Sequence, residues 1–596
     1  MFRTFVALTF WGLPIVAIGQ IHFTESSQIV GLNFIADTYR IGSGISIFDF
    51  DNDGDDDVTL CTEANKPMAF YQNHLGKLRR IPPPIDHTGD AKQVLWVDYD
   101  NDGDSDLFIT TFDGPNRLYE QRESFTFIDV TEAAGLLIDN NLGYGATWGD
   151  YNRDGWLDLY VNERIFNQDR QETKHRLYKN KGDRTFLEVG ESTYTRDPGK
   201  IPFCSTFFDA NNDKWPDIYT ANDKLTLNTL LINQGNGTFW DTGTEASADL
   251  RMNAMCVAIG DYNNDGWQDI YVSNTPIGNA MLHNTTGENP MKDPSFREVA
   301  DSIGVGFYGN GWGSNFLDAD NDGDLDLYVS GSKIGRGSIS SLFYENLADG
   351  SFIIPEAGFF EDTTNSFSNS LGDINGDGLV DILVQNNPPF YYQLWLNQST
   401  SENNWIKIKL EGVKSNRDAI GAKIEVFVEE LYSMRYLHCG IGFLAQNSLI
   451  ETIGLGKFTK ADSIRITWPT GHQDKLFDVE TPQTLRVVEG SSTDGIISQD
   501  PDITLTFATL TSNALTLSSD LSIYPNPSKS SISITDTDVI QPESYRIFNS
   551  LGVEIRRGTL PDKNMEIPTS DLPAGMYFLS LYNRKKLLKH IPWLKS

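Results

Sequence analysis

Between residue 44 and residue 397 the chain keeps returning to one pattern. Short runs with aromatic or β-branched residues at alternate positions are separated by polar clusters of Gly, Asn and Asp. One unit reads VLWVDYD, then LFITTF, RLYEQ and FTFIDV. LYVNE, IYVSN and LYVSG take the place of LFITTF in later units, followed by RLYKN, AMLHN and LFYEN. A two-residue period bounded by turn formers favours strands over helices throughout. Four strands in a unit of about 55 residues suit a propeller blade better than a helical solenoid.

The polar cluster that follows the first strand of each unit is acidic and has a fixed frame. In DFDNDGDDD, oxygen-bearing side chains stand at positions 1, 3, 5 and 9 (Asp49, Asp51, Asp53, Asp57), with Gly54 at position 6. The frame returns at Asp98, Asp100, Asp102 and Asp106, then at Asp150, Asn152, Asp154 and Asp158. It recurs at Asp209, Asn211, Asp213 and Asp217, and at Asp261, Asn263, Asp265 and Asp269. The last two copies are Asp318, Asp320, Asp322 and Asp326, and Asp373, Asn375, Asp377 and Asp381. Start-to-start spacings of 49, 52, 59, 52, 57 and 55 residues exclude chance and predict seven blades over residues 20–400.

Carboxylate and amide oxygens at 1, 3 and 5, a backbone carbonyl at 7 and a carboxylate at 9 can converge on one hard cation. Six to eight oxygen ligands suit Ca²⁺ better than Mg²⁺, and Gly at position 6 permits the sharp turn. The first half of the loop is like that of an EF-hand, but its last acid comes at 9 instead of 12 and strands flank it. The expected cofactor is therefore Ca²⁺, up to seven ions, one per blade. Loop 4 is expected to bind weakest, because Lys214 replaces the glycine and Pro216 stiffens the exit.

Composition narrows the partners. With 82 acids against 47 bases the net charge is −35, which argues against nucleic acid and anionic lipid. Arg3, the apolar run Phe5 to Ile18 and the small residues Ala17 and Gly19 predict a secretion signal over 1–19. No later segment is apolar enough to cross a bilayer as a helix. The four cysteines form no CxxC pair; Cys204 and Cys256 are expected near each other, as buried free thiols rather than a disulfide.

The DxDxDGxxD loops between strands resemble the FG-GAP/VCBS repeats of integrin-α-like β-propellers. Lys414-Ser415-Asn416-Arg417, Ile420-Gly421-Ala422, Gly454-Leu455-Gly456 and Trp468-Pro469-Thr470-Gly471 are similar to the ASPIC/UnbV domain, implying a small β domain at 401–490. A Ser/Thr/Asp-rich linker is expected over 491–516. Tyr524-Pro525-Asn526-Pro527 and Leu572-Pro573-Ala574-Gly575-Met576-Tyr577 resemble the C-terminal sorting domain of the type IX secretion system. That resemblance implies a β-sandwich over 517–596 and export to the outer-membrane-associated cell surface of a Gram-negative bacterium.

No catalytic motif stands in a supporting context: the eight histidines are scattered, and GxSxG, Walker A and HExxH are absent. Gly42/Gly44, Gly143/Gly145 and Gly311/Gly313 are expected to let strands crowd an axis. A candidate recognition rim is formed by Tyr39, Trp96, Tyr144, Trp148, Phe203, Phe207, Phe307, Tyr308 and Trp312, with core packing as the alternative. The expectation is an all-β, secreted, non-catalytic calcium-binding protein that binds an extracellular glycan or protein. A glycan-active enzyme or its binding subunit, and a structural surface-layer protein, stay open. FTESSQIVGL near the N-terminus repeats the fourth-strand pattern of FIDVTEAAGL and FREVADSIGV, whereas the seventh unit lacks a fourth strand. Residues 21–24 are thus expected to pair with the edge of the seventh unit.

Overall fold

The computed structural model describes residues 21–492, except 37–40, 113, 123–124, 139–142, 165–174, 289–293 and 334–338. Beyond them it describes 522–524, 531–535, 544–549, 554–559, 566–570, 572, 575–583 and 586–595. The expected secretion signal, nearly all of the linker, Tyr39 and Pro525-Asn526-Pro527 lie outside the described residues. Three four-residue helical turns are the only helices among the described residues; the rest of the regular structure is β.

Seven antiparallel sheets follow one another, with strands adjacent in chain order; the second comprises Ala91–Val97, Asp106–Thr111, Arg117–Arg122 and Thr126–Asp129. Position 9 of each acidic frame is the first residue of a second strand, so every frame is the turn between first and second strands. Separate apolar clusters join successive sheets: Phe108 and Trp148 between the second and third, Tyr160 and Ile218 between the third and fourth. Ile45 and Val58 pack with Leu383 and Leu394, so sheet 7 also meets sheet 1.

Sheet 7 is completed by the N-terminus. Phe23–Glu25 pairs antiparallel with Gln393–Asn397, in the register Phe23↔Asn397, Thr24↔Leu396 and Glu25↔Trp395. Phe23 is buried, with its ring 5.5 Å from Phe343 and 5.2 Å from Phe359. The eight-residue spacing from Phe to Gly also has a physical reason. A helical turn follows the strand and ends at Gly31 (φ 101°), where a Cβ would lie 2.3 Å from the Leu78 carbonyl oxygen. Gly304 (φ 91°) meets Phe352 in the same way.

Residues 405–488 form two further sheets. Trp405–Glu411 lies between Glu451–Gly454 and Gln483–Val488, and Lys423–Val428 lies between Leu431–Tyr436 and Lys460–Thr467, with Gln473–Glu480 beyond. Ile406, Ile424, Ile464 and Trp468 form their common core. The separate C-terminal unit has a three-stranded sheet and a four-stranded sheet centred on Ser544–Asn549 and Gly575–Asn583.

The segment 438–448, HCGIGFLAQNS, leaves the 405–488 domain and runs among the first strands of the seven sheets. The Trp148 N–H donates to the Cys439 carbonyl (3.0 Å) and the Gly442 N–H to that of Val257 (2.9 Å). Ala445 and Gln446 add a parallel strand to Ile45 and Ser46. The Gln446 amide forms a pair of hydrogen bonds with the Trp96 backbone, donating at 2.7 Å and accepting at 2.8 Å. His438 meets the Phe207 carbonyl at 3.0 Å, Asn447 donates to Asn315 at 3.1 Å, and the Ser448 N–H reaches Leu371 at 2.9 Å. One short segment thus bonds to a residue of every sheet.

This plug corrects the aromatic rim. Phe443 is fully buried against Tyr144, Phe203 and Trp312, at centroid distances of 6.5, 5.7 and 5.1 Å. Trp96, Trp148, Phe207 and Phe307 are buried as well, and Tyr308 alone of the described rim is well exposed, at 49%. Apart from Tyr308 the described rim is packed in the core, with the plug covering Tyr144, Phe203 and Trp312 and the neighbouring sheets covering Phe207 and Phe307. All four cysteines are buried thiols outside any disulfide, with Cys204 and Cys256 in one cluster. The GxG glycines do allow crowding: a Cβ on Gly145 would lie 2.4 Å from the Phe203 carbonyl oxygen.

Deleting residues 20–28 removes Phe23 and uncovers a strand edge. Loss of one buried Phe costs about 3–5 kcal/mol, so the thermal midpoint should fall clearly in a calorimetric scan. An unchanged midpoint would show that the borrowed strand contributes nothing.

Candidate metal loops

The same hydrogen bonds wrap the backbone of each frame around its acids. The N–H of position 5 donates to one oxygen of position 1, as from Asp53 to Asp49 and from Asp154 to Asp150, both 3.0 Å. The N–H of position 6 donates to the other oxygen, at 2.8 Å from Gly155 to Asp150 and 2.7 Å from Gly378 to Asp373. The N–H of position 7 reaches the carboxylate at 5, as from Trp267 to Asp265 at 2.9 Å. Lys214 keeps the position 6 bond to Asp209 (2.9 Å) with φ at 72°, a left-handed conformation that costs a residue with a Cβ about 1–2 kcal/mol.

Position 4 is left-handed too: Asn52, Asn101, Asn212, Asn264 and Asn321 have φ of 56–61°. Its sequence signal, Asn in five of seven copies, went unused beside the more obvious glycine. These amides also chain the loops together, with Asn101 donating to the Gly155 carbonyl (3.0 Å) and Asn321 to that of Gly378 (2.9 Å).

Position 9 is held from both sides. Asp158 accepts the Asn180 N–H at 2.8 Å, and Asp217 accepts those of Asn233 (2.8 Å) and Ala210 (2.9 Å). The asparagine ending the third strand is a staple between sheets. The Asn180 amide donates to the carbonyls of Leu157 in its own sheet and Tyr99 in the preceding one. Asn233, Asn284, Asn346 and Asn397 repeat this, and Asn73 carries it from sheet 1 to Ile374 of sheet 7. Sheet 2 has Gln121 at that place. LYKN, LLIN, MLHN and LWLN all display the asparagine, yet its reach across to a neighbour is invisible without coordinates.

In loops 1, 2 and 6 three carboxylates each bring an oxygen within 4.8 Å of the others: Asp49, Asp51 and Asp53; Asp98, Asp100 and Asp106; Asp318, Asp320 and Asp322. In loops 4, 5 and 7 the position 3 amides of Asn211, Asn263 and Asn375 donate to the carboxylate at 5. Burial pushes the position 9 carboxyls far above the usual range, to about 9 for Asp57 and about 10 for Asp106. For Asp269 burial is offset partly by a hydrogen bond from His283, giving about 6. A cluster of oxygen donors that resists ionising unless a cation is near has the chemistry of a hard-metal site.

The 405–488 domain covers this loop face. Lys409 meets Asp49 at 2.9 Å, Lys407 pairs with Asp373, and Lys423 donates to Asn212 at 3.0 Å. The Gly454 N–H donates to Asp318 at 3.0 Å, with Arg435 3.8 Å from the same oxygen. The Arg417 N–H bonds to Asn101, and Arg153 of loop 3 donates to the Pro469 carbonyl. The KSNR and WPTG turns therefore rest on loops 2 and 3, while the Glu489 carboxylate gathers the N–H groups of Val413, Lys414 and Ser415 from beneath.

In calcium-free buffer these acids tie stability to pH. Each position 9 aspartate has a folded pKa above the unfolded value of about 4. The folded chain therefore keeps protons that the unfolded chain releases. The stability this gives is full below about pH 4 and is lost as pH rises toward the folded values of about 9 and 10 at Asp57 and Asp106. With EDTA the thermal midpoint should drop between about pH 5 and pH 9, and millimolar calcium should flatten that drop. A midpoint rising with pH in EDTA would contradict the burial of these acids.

Residues 49–109, 98–161 and 209–272 match the FG-GAP-like repeat, 412–494 match ASPIC and UnbV, and 522–591 match the secretion system C-terminal sorting domain. The chain is 24% identical to cartilage acidic protein 1 of Xenopus tropicalis over 277 residues, 44% of this chain and 40% of the relative. It is 22% identical to cartilage acidic protein 1 of Homo sapiens over 519 residues, 78% of this chain and 75% of the relative. It thus spans about two fifths of the frog protein's length. Similar solved structures include BBS1N in complex with ARL6DN, at 9% identity and TM-score 0.38, covering 63% of this chain and 96% of that one. YCF48 bound to D1 peptide is another, at 7% identity and TM-score 0.35, covering 61% and 95%. From N- to C-terminus, then, the chain carries FG-GAP-like repeats, an ASPIC and UnbV domain and a secretion system C-terminal sorting domain.

Proposed function

We propose that the seven sheets are the blades of a calcium-loaded β-propeller that acts outside the cell as a non-catalytic binding or adhesion module for a glycan or protein. Secretion or surface display follows from the sorting domain, and no helix among the described residues is long and apolar enough to cross a membrane. The observation that carries the calcium reading is the one hydrogen-bond frame repeated in seven acidic loops. Asp or Asn at positions 1, 3 and 5 and Asp at 9 would hold each ion, which would supply the positive charge that the buried carboxylates lack.

The reading of the outer role rests on the plug. Residues 438–448 occupy the space inside the first strands except for a cavity of about 100 Å³ lined by Gly260, Phe316, Gly372, Arg435, His438 and Asn447, which favours recognition on the outer faces of the blades. A glycan array and a hydrolase panel on mature protein separate binding from turnover. Hydrolysis of any glycan would overturn the non-catalytic reading.

Calcium should stabilise the protein strongly. A site with Kd of about 0.1 mM contributes about 1.4 kcal/mol at millimolar calcium, so several sites together should raise the thermal midpoint well above its value in EDTA. Identical midpoints would sink the calcium reading. Loop 4 carries a strained, positively charged residue where its counterparts have glycine, so Lys214→Gly should raise calcium affinity at one site in a calorimetric titration. No gain would remove Lys214 as a determinant.

A further inference from the structure

Loops 2 and 6 have the same set of acids. Each has Asp at all four frame positions, and each gains a fifth carboxylate from the third strand of its own sheet: Glu120 beside loop 2, Glu345 beside loop 6. Their neighbours differ. Beside loop 2, Arg184 at the tip of the last hairpin of sheet 3 reaches across the boundary between sheets. Its Nε lies 3.0 Å from Asp100 and an Nη 3.1 Å from Asp102, and its other Nη pairs with Glu120. Asp100 and Glu120 are buried. The guanidinium therefore lies among the acids at positions 3 and 5, where the frame would place a metal.

The chain's own repeats mark this arginine as an exception. The hairpin tips read ESFTF in sheet 2, GDRTF in sheet 3, GNGTF in sheet 4 and ADGSF in sheet 6, so Phe125 or glycine fills the place of Arg184 in the other three and Arg184 is the one cation among the four. The backbone explains the glycine: φ is 86° at Gly237 and 79° at Gly350, and it is 66° at Arg184. A left-handed conformation is unfavourable for a residue with a Cβ. Arg184 sits in it regardless, with its side chain on three carboxylates. Among the described residues loop 6 receives no guanidinium at positions 3 and 5, because sheet 7 takes its fourth strand from the N-terminus and has no equivalent hairpin; the cation there, Arg435, stands 3.8 Å from Asp318 at position 1.

We infer that Arg184 is a tethered cation that holds loop 2 in place of a metal, so that calcium enters loop 2 only by displacing it and binds there more weakly than in loop 6. This rests on the calcium reading of the loops. It turns loop 2 into a corner that keeps its shape when calcium is scarce, while loop 6 depends on the ion. Ion binding at loop 2 would release Arg184, a side chain of the next sheet, and so register calcium at a boundary between sheets.

The test compares wild type with Arg184→Gly, which also relieves the backbone, and Arg184→Gln, which removes only the charge. Calcium titrated into the metal-free full chain should show one site tightened about tenfold or more in both variants, and adding Asp102→Asn to Arg184→Gly should abolish that gain. In EDTA, Arg184→Gln should melt below wild type because Asp100 and Asp102 lose their counter-ion and Glu120 keeps only Arg122, and millimolar calcium should erase the difference. Equal site affinities in wild type and both variants would overturn the inference while leaving the calcium reading intact. Absence of calcium binding in all of the proteins would overturn both.

Discussion

Mutual repulsion among clustered carboxylates, were they all ionised, is the constraint around which the molecule is arranged. Two unit charges 4.8 Å apart repel by about 3–4 kcal/mol at an effective dielectric constant of 20, and loops 1, 2 and 6 each hold three acids at that range or closer. Backbone N–H groups absorb part of this, which is why positions 5, 6 and 7 all turn their amides inward and why positions 4 and 6 accept left-handed geometry. A further part is met by cations from elsewhere in the chain. Lys407, Lys409 and Arg435 from the covering domain, Lys179 beside Asp154, and Arg184 are all placed against frame acids.

The loops and the sheets belong to one solution. A turn that gathers acids must be held rigidly by both flanking strands, and position 9 does so by starting the second strand while accepting a bond from the third. The asparagine supplying that bond also spans to the neighbouring sheet. The geometry of each loop is thus fixed by two sheets, and disturbance at one loop is felt at the boundary.

Much of this was legible in the residues because it repeats. Alternation of aromatic and β-branched residues gave the strands, a nine-residue frame gave the turns, and Phe23 eight residues before Gly31 gave the borrowed strand. Contacts made once were not legible. HCGIGFLAQNS has no periodicity to announce that it runs among the first strands, and without it Trp96, Tyr144 and Phe203 resembled an exposed rim. Lys407 and Lys409 alternate with apolar residues along Trp405–Glu411 as on any half-solvated strand, and nothing local shows that they meet Asp373 and Asp49, more than thirty and more than three hundred residues away in sequence. Position 4 and the stapling asparagine did carry a repeating signal; what a single sequence lacks is the partner across the boundary.

The borrowed strand and the plug together set an order of assembly. Phe23 pairs with Asn397, so the first strand made has no partner until almost the whole ring exists, and Phe443 enters only after that. Contacts of such sequence separation form slowly. A chain interrupted before residue 397 would leave Gln393–Asn397 unmade and an apolar first strand unpaired, and one ending before residue 438 would leave a ring with a hollow centre. Proteolytic surveillance needs no dedicated signal to tell these products from the finished protein, because each exposes surface that the complete chain hides.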